Sequence, residues 1–355
     1  MSFTKIIIFI VCLFCIAQDL IAARLFEVQE LFLFVKALDD YMLLFLLALV
    51  VVSKPLIFFK KKNLSFFILC CGFAAVGFLS GLRHAVPFQI MVLGLFPPIK
   101  GFLLYFVLSN VKFSIIELRW LLKVFFVVSV IFLIGVLVDV LNPLLFRGFT
   151  GVGAEDVRYR FGIPSAISFF SSPARCGWWM SYVFVFCAAA FFVFQKRAWG
   201  VVALFYAVGI LLTMRMKPIL GASFAILTAL MILPTSLKTK KIVFFGFLVA
   251  FAVLPFADKV SALGWDKYED YFVSEHVPRK LLYEVGFQVA KDNFPLGAGF
   301  GKYGGYIAAK HYSDIYTQNN FEAYWGMSSG DTRFLKDTFW PMIIGETGFL
   351  GALIY

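Results

Sequence analysis

Long apolar runs recur along most of this sequence and constrain its fold more than any other feature. A helix needs about 20 apolar residues to cross the hydrocarbon core of a bilayer. By that rule we predict about ten spans, at 4–23, 40–58, 64–82, 88–109, 119–141, 177–195, 199–213, 216–234, 241–257 and 339–355. Hydrophobic residues make up 61% of the chain and charged residues 15%, which excludes a soluble domain. The predicted fold is an all-α, polytopic helical bundle in a membrane.

Three details of these runs carry predictions of their own. Pro97-Pro98 lies inside the fourth run and predicts a kink or break there. The N-terminal run lacks a small-residue cleavage site, so we interpret it as a retained first helix rather than a signal peptide. The last run reaches Tyr355 without a flanking charge, so we expect further helices beyond it. With no internal repeat or linker, residues 1–355 are expected to form one membrane domain.

The basic residues of the short loops predict an orientation in the membrane. One set of loops is rich in lysine: Lys60-Lys61-Lys62, Lys112 with Arg119, Lys196-Arg197, and Lys238 with Lys240-Lys241. The positive-inside rule places these loops in the cytoplasm, together with the N-terminus and Lys5. The loops 142–176 and 258–337 are then on the outer side.

The outer loops differ because their basic residues are mainly arginines, whose planar fork suits phosphate better than lysine does. The outer candidates for an anion site are Arg158, Arg160, Arg175, Arg215, Lys217 and Arg279, with Arg83 and Arg147 also on this side. The turn Arg215-Met-Lys217-Pro218 is the strongest signal outside the large loop, because nothing near it in sequence neutralises it. The alternatives are contact with lipid headgroups and local ion pairing, for example of Glu155-Asp156 with the arginines that follow.

The stretch 258–337 is the longest polar part of the chain, and connections without a role are usually short. We therefore predict that this large outer loop, within the single domain, carries the functional site. Its segment His276–Lys291 has the pattern of an amphipathic helix, with Arg279 placed for an anion bound at the helix N-terminus. The alternative is an interfacial helix whose basic residues meet lipid phosphates.

A glycine-rich run, Gly297-Ala-Gly-Phe-Gly-Lys-Tyr-Gly304, follows that predicted helix. It follows no predicted strand, and no Ser or Thr comes after Lys302, so neither a Rossmann fingerprint nor a P-loop is indicated. Two interpretations remain open. The backbone amides could cradle an anion, or the glycines could allow a tight return of the chain toward the membrane.

Few residues can transfer a proton at the outer surface. His311 lies in the large loop, Asp337 stands where the loop enters the last run, and Glu346 lies one or two turns deeper. Asp337 could instead be a helix N-cap, and Glu346 could simply pair with an outer arginine. No metal-ligand cluster is seen, and Cys12-x-x-Cys15 is interpreted as structural. We therefore expect no metal or cofactor. The net charge of +11 indicates an anionic partner, but no basic arm is present for nucleic acid.

In three places the sequence resembles the O-antigen polymerase and O-antigen ligase superfamily, which includes exopolysaccharide polymerases. The turn Thr213-Met-Arg-Met-Lys217 is similar to the Arg-containing turn of the family. Arg279 precedes Asp292-Asn-Phe-Pro-Leu-Gly-Ala-Gly299, and Glu346-Thr-Gly-Phe-Leu-Gly351 matches the motif of the last span. The position eleven residues before Gly348 is His in ligases and is Asp337 here, which favours a polymerase.

The resemblance implies a metal-independent glycosyltransferase of the bacterial cytoplasmic membrane. Its substrate would be an oligosaccharide on undecaprenyl diphosphate, with a flippase and a chain-length regulator as candidate partners. The outer arginines would hold the diphosphate, and Asp337, His311 or Glu346 would activate the acceptor hydroxyl. A ligase remains an alternative, as does a transporter or flippase of the same lipid-linked glycan, which needs charges deep in several spans and an inverted repeat. A structural subunit would explain neither the long loop nor the outer arginines.

Overall fold

The computed structural model of the chain describes residues 3–24, 29–53, 61–152, 157–160, 162–232, 246 and 278–355. Most of these residues are helical. Within these ranges four helices are long and apolar enough to cross a membrane: Asn63–Arg83, Phe88–Asn110, Ile115–Leu141 and Pro173–Phe194. Shorter apolar helices are Arg197–Leu212, Met216–Ile226 and Phe339–Ile354. A helical chain compatible with a membrane is thus confirmed, while the predicted span 241–257 lies almost entirely outside the described residues.

Most helices follow the predicted apolar runs where both can be compared, but the second begins at Gln29 rather than at 40, and a helix at Pro143–Thr150 lies in the predicted loop 142–176. The first nine helices are α1 (Phe3–Arg24), α2 (Gln29–Ser53), α3 (Lys61–Arg83), α4 (Phe88–Asn110), α5 (Ile115–Leu141), α6 (Pro143–Thr150), α7 (Pro173–Phe194), α8 (Arg197–Leu212) and α9 (Met216–Ile232). Then come α10 (Pro278–Asp292), α11 (Tyr306–His311), α12 (Asp314–Gln318), a 3-10 turn (Phe321–Ala323) and α13 (Phe339–Ile354). Two short strands, β1 (Tyr159–Arg160) and β2 (Ile163–Pro164), form an antiparallel pair. The chain runs through Pro97 and Pro98 as one helix, so a break there is wrong, and the alternative of a kink stays a prediction.

By its internal contacts the chain divides into two compact units. Unit 1 comprises Met1–Leu46 and Val111–Phe256, and unit 2 comprises Leu47–Asn110 and Ala257–Tyr355. The expectation of a single membrane domain stays a prediction. The predicted outer arginines are divided between the two units, since Arg215 belongs to the first and Arg279 to the second.

The core of unit 1 lies between α7 and α8. Met180, Val183 and Cys187 of α7 are buried against α8, which contributes Tyr206 and Ile210. Small residues allow this close approach, as is usual between membrane helices. Cys187 here acts as a small apolar side chain, as predicted for the cysteines of the apolar runs.

Unit 1 also contains a buried ion pair. Arg147 of α6 and Asp139 of α5 are 1% and 0% exposed, and Nε donates to Oδ1 at 2.8 Å. The guanidinium also donates to the carbonyl of Ser165 at 2.9 Å, and the carboxylate accepts the amides of Ile167 at 2.6 Å and Ser168 at 3.3 Å. Arg147, one of the predicted outer arginines, is therefore committed to holding the chain after β2.

Unit 2 is organised around a break in α13. Gly348 has φ 62° and ψ −168°, a conformation that interrupts the helix and favours glycine. The glycine-rich segment enters this break: Ala298 donates to the carbonyl of Gly345 at 2.9 Å, and Gly299 donates to that of Glu346 at 2.8 Å. A Cβ on Gly299 would lie 2.5 Å from the Cα of Gly81 in α3. The predicted tight return of the chain toward the apolar helices is confirmed.

The residues after α10 fold over this glycine-rich segment with a core of their own. Leu282 of α10 is buried with Tyr303, Tyr316, Phe321 and Met327. The rings of Tyr316 and Phe321 are stacked with centroids 5.1 Å apart. The described part of the predicted large loop is thus a packed structure that can hold side chains in fixed positions.

Candidate functional site

The first turn of α10 and the residue before α13 meet in an ion pair. The Nε of Arg279 donates to Oδ2 of Asp337 at 2.6 Å, and Nη2 contacts the same oxygen. Each side chain is 33% exposed. Two residues that the sequence assigned to an anion site and to proton transfer therefore lie in direct contact, although 58 positions separate them.

The local sequence explains where Arg279 and Asp337 lie. The predicted amphipathic helix is confirmed as α10, whose face of Leu282, Val285 and Val289 is buried. Its predicted first residues, including His276, lie outside the described residues. The N-cap of α13 is Thr338, in extended conformation, so the alternative in which Asp337 caps this helix is wrong. The carboxylate of Asp337 turns to Arg279 instead.

Tyr303 fixes the distance between the two elements that carry this pair. Its hydroxyl donates to the carbonyl of Leu282 at 2.7 Å, and its ring packs on Gly286 of α10. Burial raises the pKa of Tyr303, so the hydroxyl stays protonated and can keep donating. Gly286 also touches Pro341 of α13. Sequence analysis missed Tyr303, whose only signal was an aromatic residue inside a glycine-rich run.

Glu346 lies in α13, after Asp337 in the chain, and is 1% exposed. Its Oε1 accepts the backbone amide of Gly301 at 2.8 Å and that of Tyr303 at 3.2 Å. The backbone amides of the glycine-rich run therefore form a nest of the expected type, but the acceptor they surround is a side-chain oxygen of the same unit. Glu346 holds the loop in place, and its carboxylate does not face the surface.

His311 and Lys302 occupy other positions on the packed outer structure. His311 ends α11 and is exposed, and within the described ranges no hydrogen bond or ion pair joins it to Arg279 or Asp337. Lys302 forms an ion pair with Asp314. Burial opposes ionisation of Asp314, but the Lys302 ammonium outweighs it and lowers the pKa of that carboxyl. Lys302 therefore contributes to the stability of the loop.

In unit 1 the elements that carry the remaining predicted cations contact one another. Arg160 of β1 donates to the carbonyl of Met214 at 2.9 Å, directly before Arg215. Gly177 of α7, two residues after Arg175, leaves no room for a side chain beside Thr213 and Pro218. The turn between α8 and α9 thus meets both β1 and the start of α7.

The other members of this group are exposed. Arg158, Arg175 and Lys217 have exposed side chains, and the carbonyl of Arg158 accepts the amide of Ser165 at 2.8 Å. The alternative pairing with Glu155-Asp156 lies outside the described residues. Arg215 and Arg279 are both candidates for the outer anion site but belong to different units, so a site that they share stays a prediction.

Among the residues that the structure describes, no group of three or more His, Cys, Asp or Glu side chains could hold a metal ion. Comparison of the chain with models of protein families, with curated proteins and with solved structures gives no match.

Proposed function

We propose that the chain polymerises oligosaccharide repeat units, carried on a polyprenyl diphosphate such as undecaprenyl diphosphate, into a surface polysaccharide. The reaction takes place at the outer face of the bacterial cytoplasmic membrane. The observation that carries the proposal is the Arg279–Asp337 pair. It sets a cation that suits a diphosphate beside a carboxylate that suits an acceptor proton, on a packed polar structure next to apolar helices.

The chemistry of this reaction fits residues of these types. An acceptor hydroxyl attacks the anomeric carbon of the donor sugar, and the bond from that carbon to the diphosphate oxygen breaks. The diphosphate leaves with the electron pair and with developing negative charge, which arginines stabilise. The proton of the hydroxyl passes to a base, for which Asp337 is our first choice and His311 the second. Glu346 supports the site.

The architecture that we propose around this site has about ten spans. The N-terminus and the lysine-rich loops are cytoplasmic, and the large loop 258–337 faces outward, where lipid-linked repeat units are presented. Arg158, Arg160, Arg175, Arg215 and Lys217 would add positive charge on the same side. A flippase that delivers the repeat units and a chain-length regulator are the proposed partners, and the bilayer is the solvent of the lipid carrier.

The proposed orientation predicts which introduced cysteines a membrane-impermeant thiol reagent can reach. Ser329 and Lys196 have exposed side chains, the first in the large loop and the second between α7 and α8. In a cysteine-free variant expressed in whole cells, we expect labelling of Ser329→Cys from outside, and of Lys196→Cys only after the membrane is permeabilised. Labelling of both positions from the same side would contradict the orientation.

Replacement of Arg279 by lysine tests the function. The full chain in vesicles, supplied with polyprenyl-diphosphate-linked repeat units, is expected to lengthen the glycan. Arg279→Lys should lower the rate about tenfold to a hundredfold, because a point charge replaces a fork that makes charge-assisted hydrogen bonds. Polymer length on a gel measures the effect. The matched control is Arg333→Lys, which alters another Arg–Asp pair of unit 2 and should leave the rate unchanged.

The same assay distinguishes the alternatives. Transfer of a finished glycan to a lipid acceptor, without lengthening, would indicate a ligase. Movement of repeat units across the vesicle membrane without any transfer would indicate a transporter or flippase. Full polymer formation in Asp337→Asn with loss in His311→Ala would assign the base to His311.

A further inference from the structure

The contact between Arg279 and Asp337 uses the part of the guanidinium that a phosphate would use. Nε and Nη2 form one edge of the fork, and both approach Oδ2 of Asp337. A phosphate group accepts from this same edge in a bidentate arrangement. The carboxylate and an anionic ligand would therefore compete for Arg279.

The backbone that carries Arg279 and Asp337 is held by contacts other than their ion pair. Tyr303 ties α10 to the glycine-rich segment through Leu282, and Gly286 packs against Pro341 of α13. Because these contacts remain when the ion pair opens, the two side chains can separate by rotation alone. Each side chain is 33% exposed, so water can reach both groups as they part.

We propose that this pair is an ionic latch which the diphosphate of the donor opens. This inference rests on the proposed function and concerns the regulation of the same site. The diphosphate takes Arg279, and Asp337 is released to accept the proton of the acceptor hydroxyl as the new glycosidic bond forms and the diphosphate leaves. While Arg279 occupies Asp337, the carboxylate does not serve as a base. Acceptor activation therefore depends on the presence of the donor.

The strength of the pair suits such an exchange. Ion pairs at this degree of exposure contribute little in water, so a competing anion that gains two charge-assisted hydrogen bonds can displace the carboxylate. A fully buried pair, such as Asp139–Arg147 in unit 1, could not be opened in this way.

Binding of inorganic pyrophosphate to the full chain in lipid nanodiscs tests the latch. Asp337→Asn removes the competing charge, so we expect pyrophosphate to bind about two- to fivefold more tightly than to the wild type. Arg279→Lys and Arg279→Gln should both weaken binding. The matched control is Asp331→Asn, which removes the acid from the exposed Arg333 pair and should leave the affinity unchanged. Isothermal titration calorimetry measures each affinity, and equal thermal unfolding temperatures show that the variants are folded.

A latch, unlike a structural contact, predicts that Asp337→Asn changes pyrophosphate affinity and polymer formation in opposite directions. A latch predicts that Asp337→Asn tightens pyrophosphate binding while polymer formation falls. Unchanged or weaker binding in Asp337→Asn would overturn it, as would a lack of pyrophosphate binding in both proteins, or polymer formation at the wild-type rate in that variant. If the wild type forms no polymer, the proposed function fails, and the binding comparison still decides whether an anion competes with Asp337.

Discussion

Replacement of Glu346 by alanine is expected to destabilise unit 2 by about 4 kcal/mol. Its carboxylate accepts the amides of Gly301 and Tyr303, and the side chain is 1% exposed. Without it both amides are buried with no acceptor, and each orphaned donor costs about 1–3 kcal/mol. Thermal unfolding in detergent micelles and hydrogen exchange at these two amides measure the effect.

Two further variants separate the lost acceptor from other consequences of the change. Glu346→Gln keeps an acceptor oxygen and should destabilise unit 2 less than alanine does. Glu284→Ala removes a carboxylate of α10 whose side chain is 60% exposed, so its effect should stay within about 0.5 kcal/mol. An unfolding temperature of Glu346→Ala equal to that of the wild type would show that the glycine-rich segment does not depend on this carboxylate.

The loss of Glu346 is also expected to disturb the Arg279–Asp337 pair of the proposed site. Tyr303 links the carboxylate to Leu282, which lies one helical turn after Arg279. When the segment that carries Tyr303 is released, α10 loses the contact that sets its distance from α13. Glu346→Ala should therefore lower polymer formation through a disordered Arg279–Asp337 pair, even though Glu346 does not touch the substrate.

Local patterns were sufficient to predict most of the long apolar helices and α10. In α10 the spacing of Leu282, Val285 and Val289 identifies one buried face, and the structure has that face in the core of unit 2. Arg279 was accordingly placed in the first turn. The partner of Arg279 was not predicted, because a contact across 58 residues leaves no trace in local periodicity.

The glycine-rich segment shows a different limit. Its sequence permits both a close approach of backbone and an anion nest, and the structure combines the two. The acceptor in the nest is the side chain of Glu346, 45 residues after Gly301. The sequence could not identify Glu346 as this acceptor, because any carboxylate or phosphate would satisfy the same amides.

The break in an apolar helix is not where the sequence indicated it. Pro97 and Pro98 were expected to kink or break α4, which runs through them without interruption. The break is at Gly348, in a conformation that glycine adopts readily, and the glycine-rich segment supplies replacement hydrogen bonds there. Leu350, which would donate within an unbroken helix, donates to the carbonyl of Pro295 at 3.3 Å. Tertiary contacts, and not the local sequence, therefore determine where an apolar helix is interrupted.

Replacement of Arg147 by methionine is expected to destabilise unit 1 by about 3–5 kcal/mol, since it leaves the carboxylate of Asp139 buried without its cation. The double variant Asp139→Asn with Arg147→Met removes both charges and should lose less stability than the sum of the single variants. Thermal unfolding of the four proteins gives the coupling. The control Arg197→Met, at an exposed position of α8, should change stability by no more than about 0.5 kcal/mol.

The same change should weaken the anion site that we propose around Arg215. Arg147 holds the carbonyl of Ser165, and the next residue, Ala166, donates to the carbonyl of Leu212 at 3.0 Å, just before the turn that carries Arg215. Pyrophosphate affinity should therefore fall in Arg147→Met and recover in part in the double variant. If stability falls and affinity does not, the buried pair supports the fold alone, and the turn with Arg215 is held by its other contacts with β1 and α7.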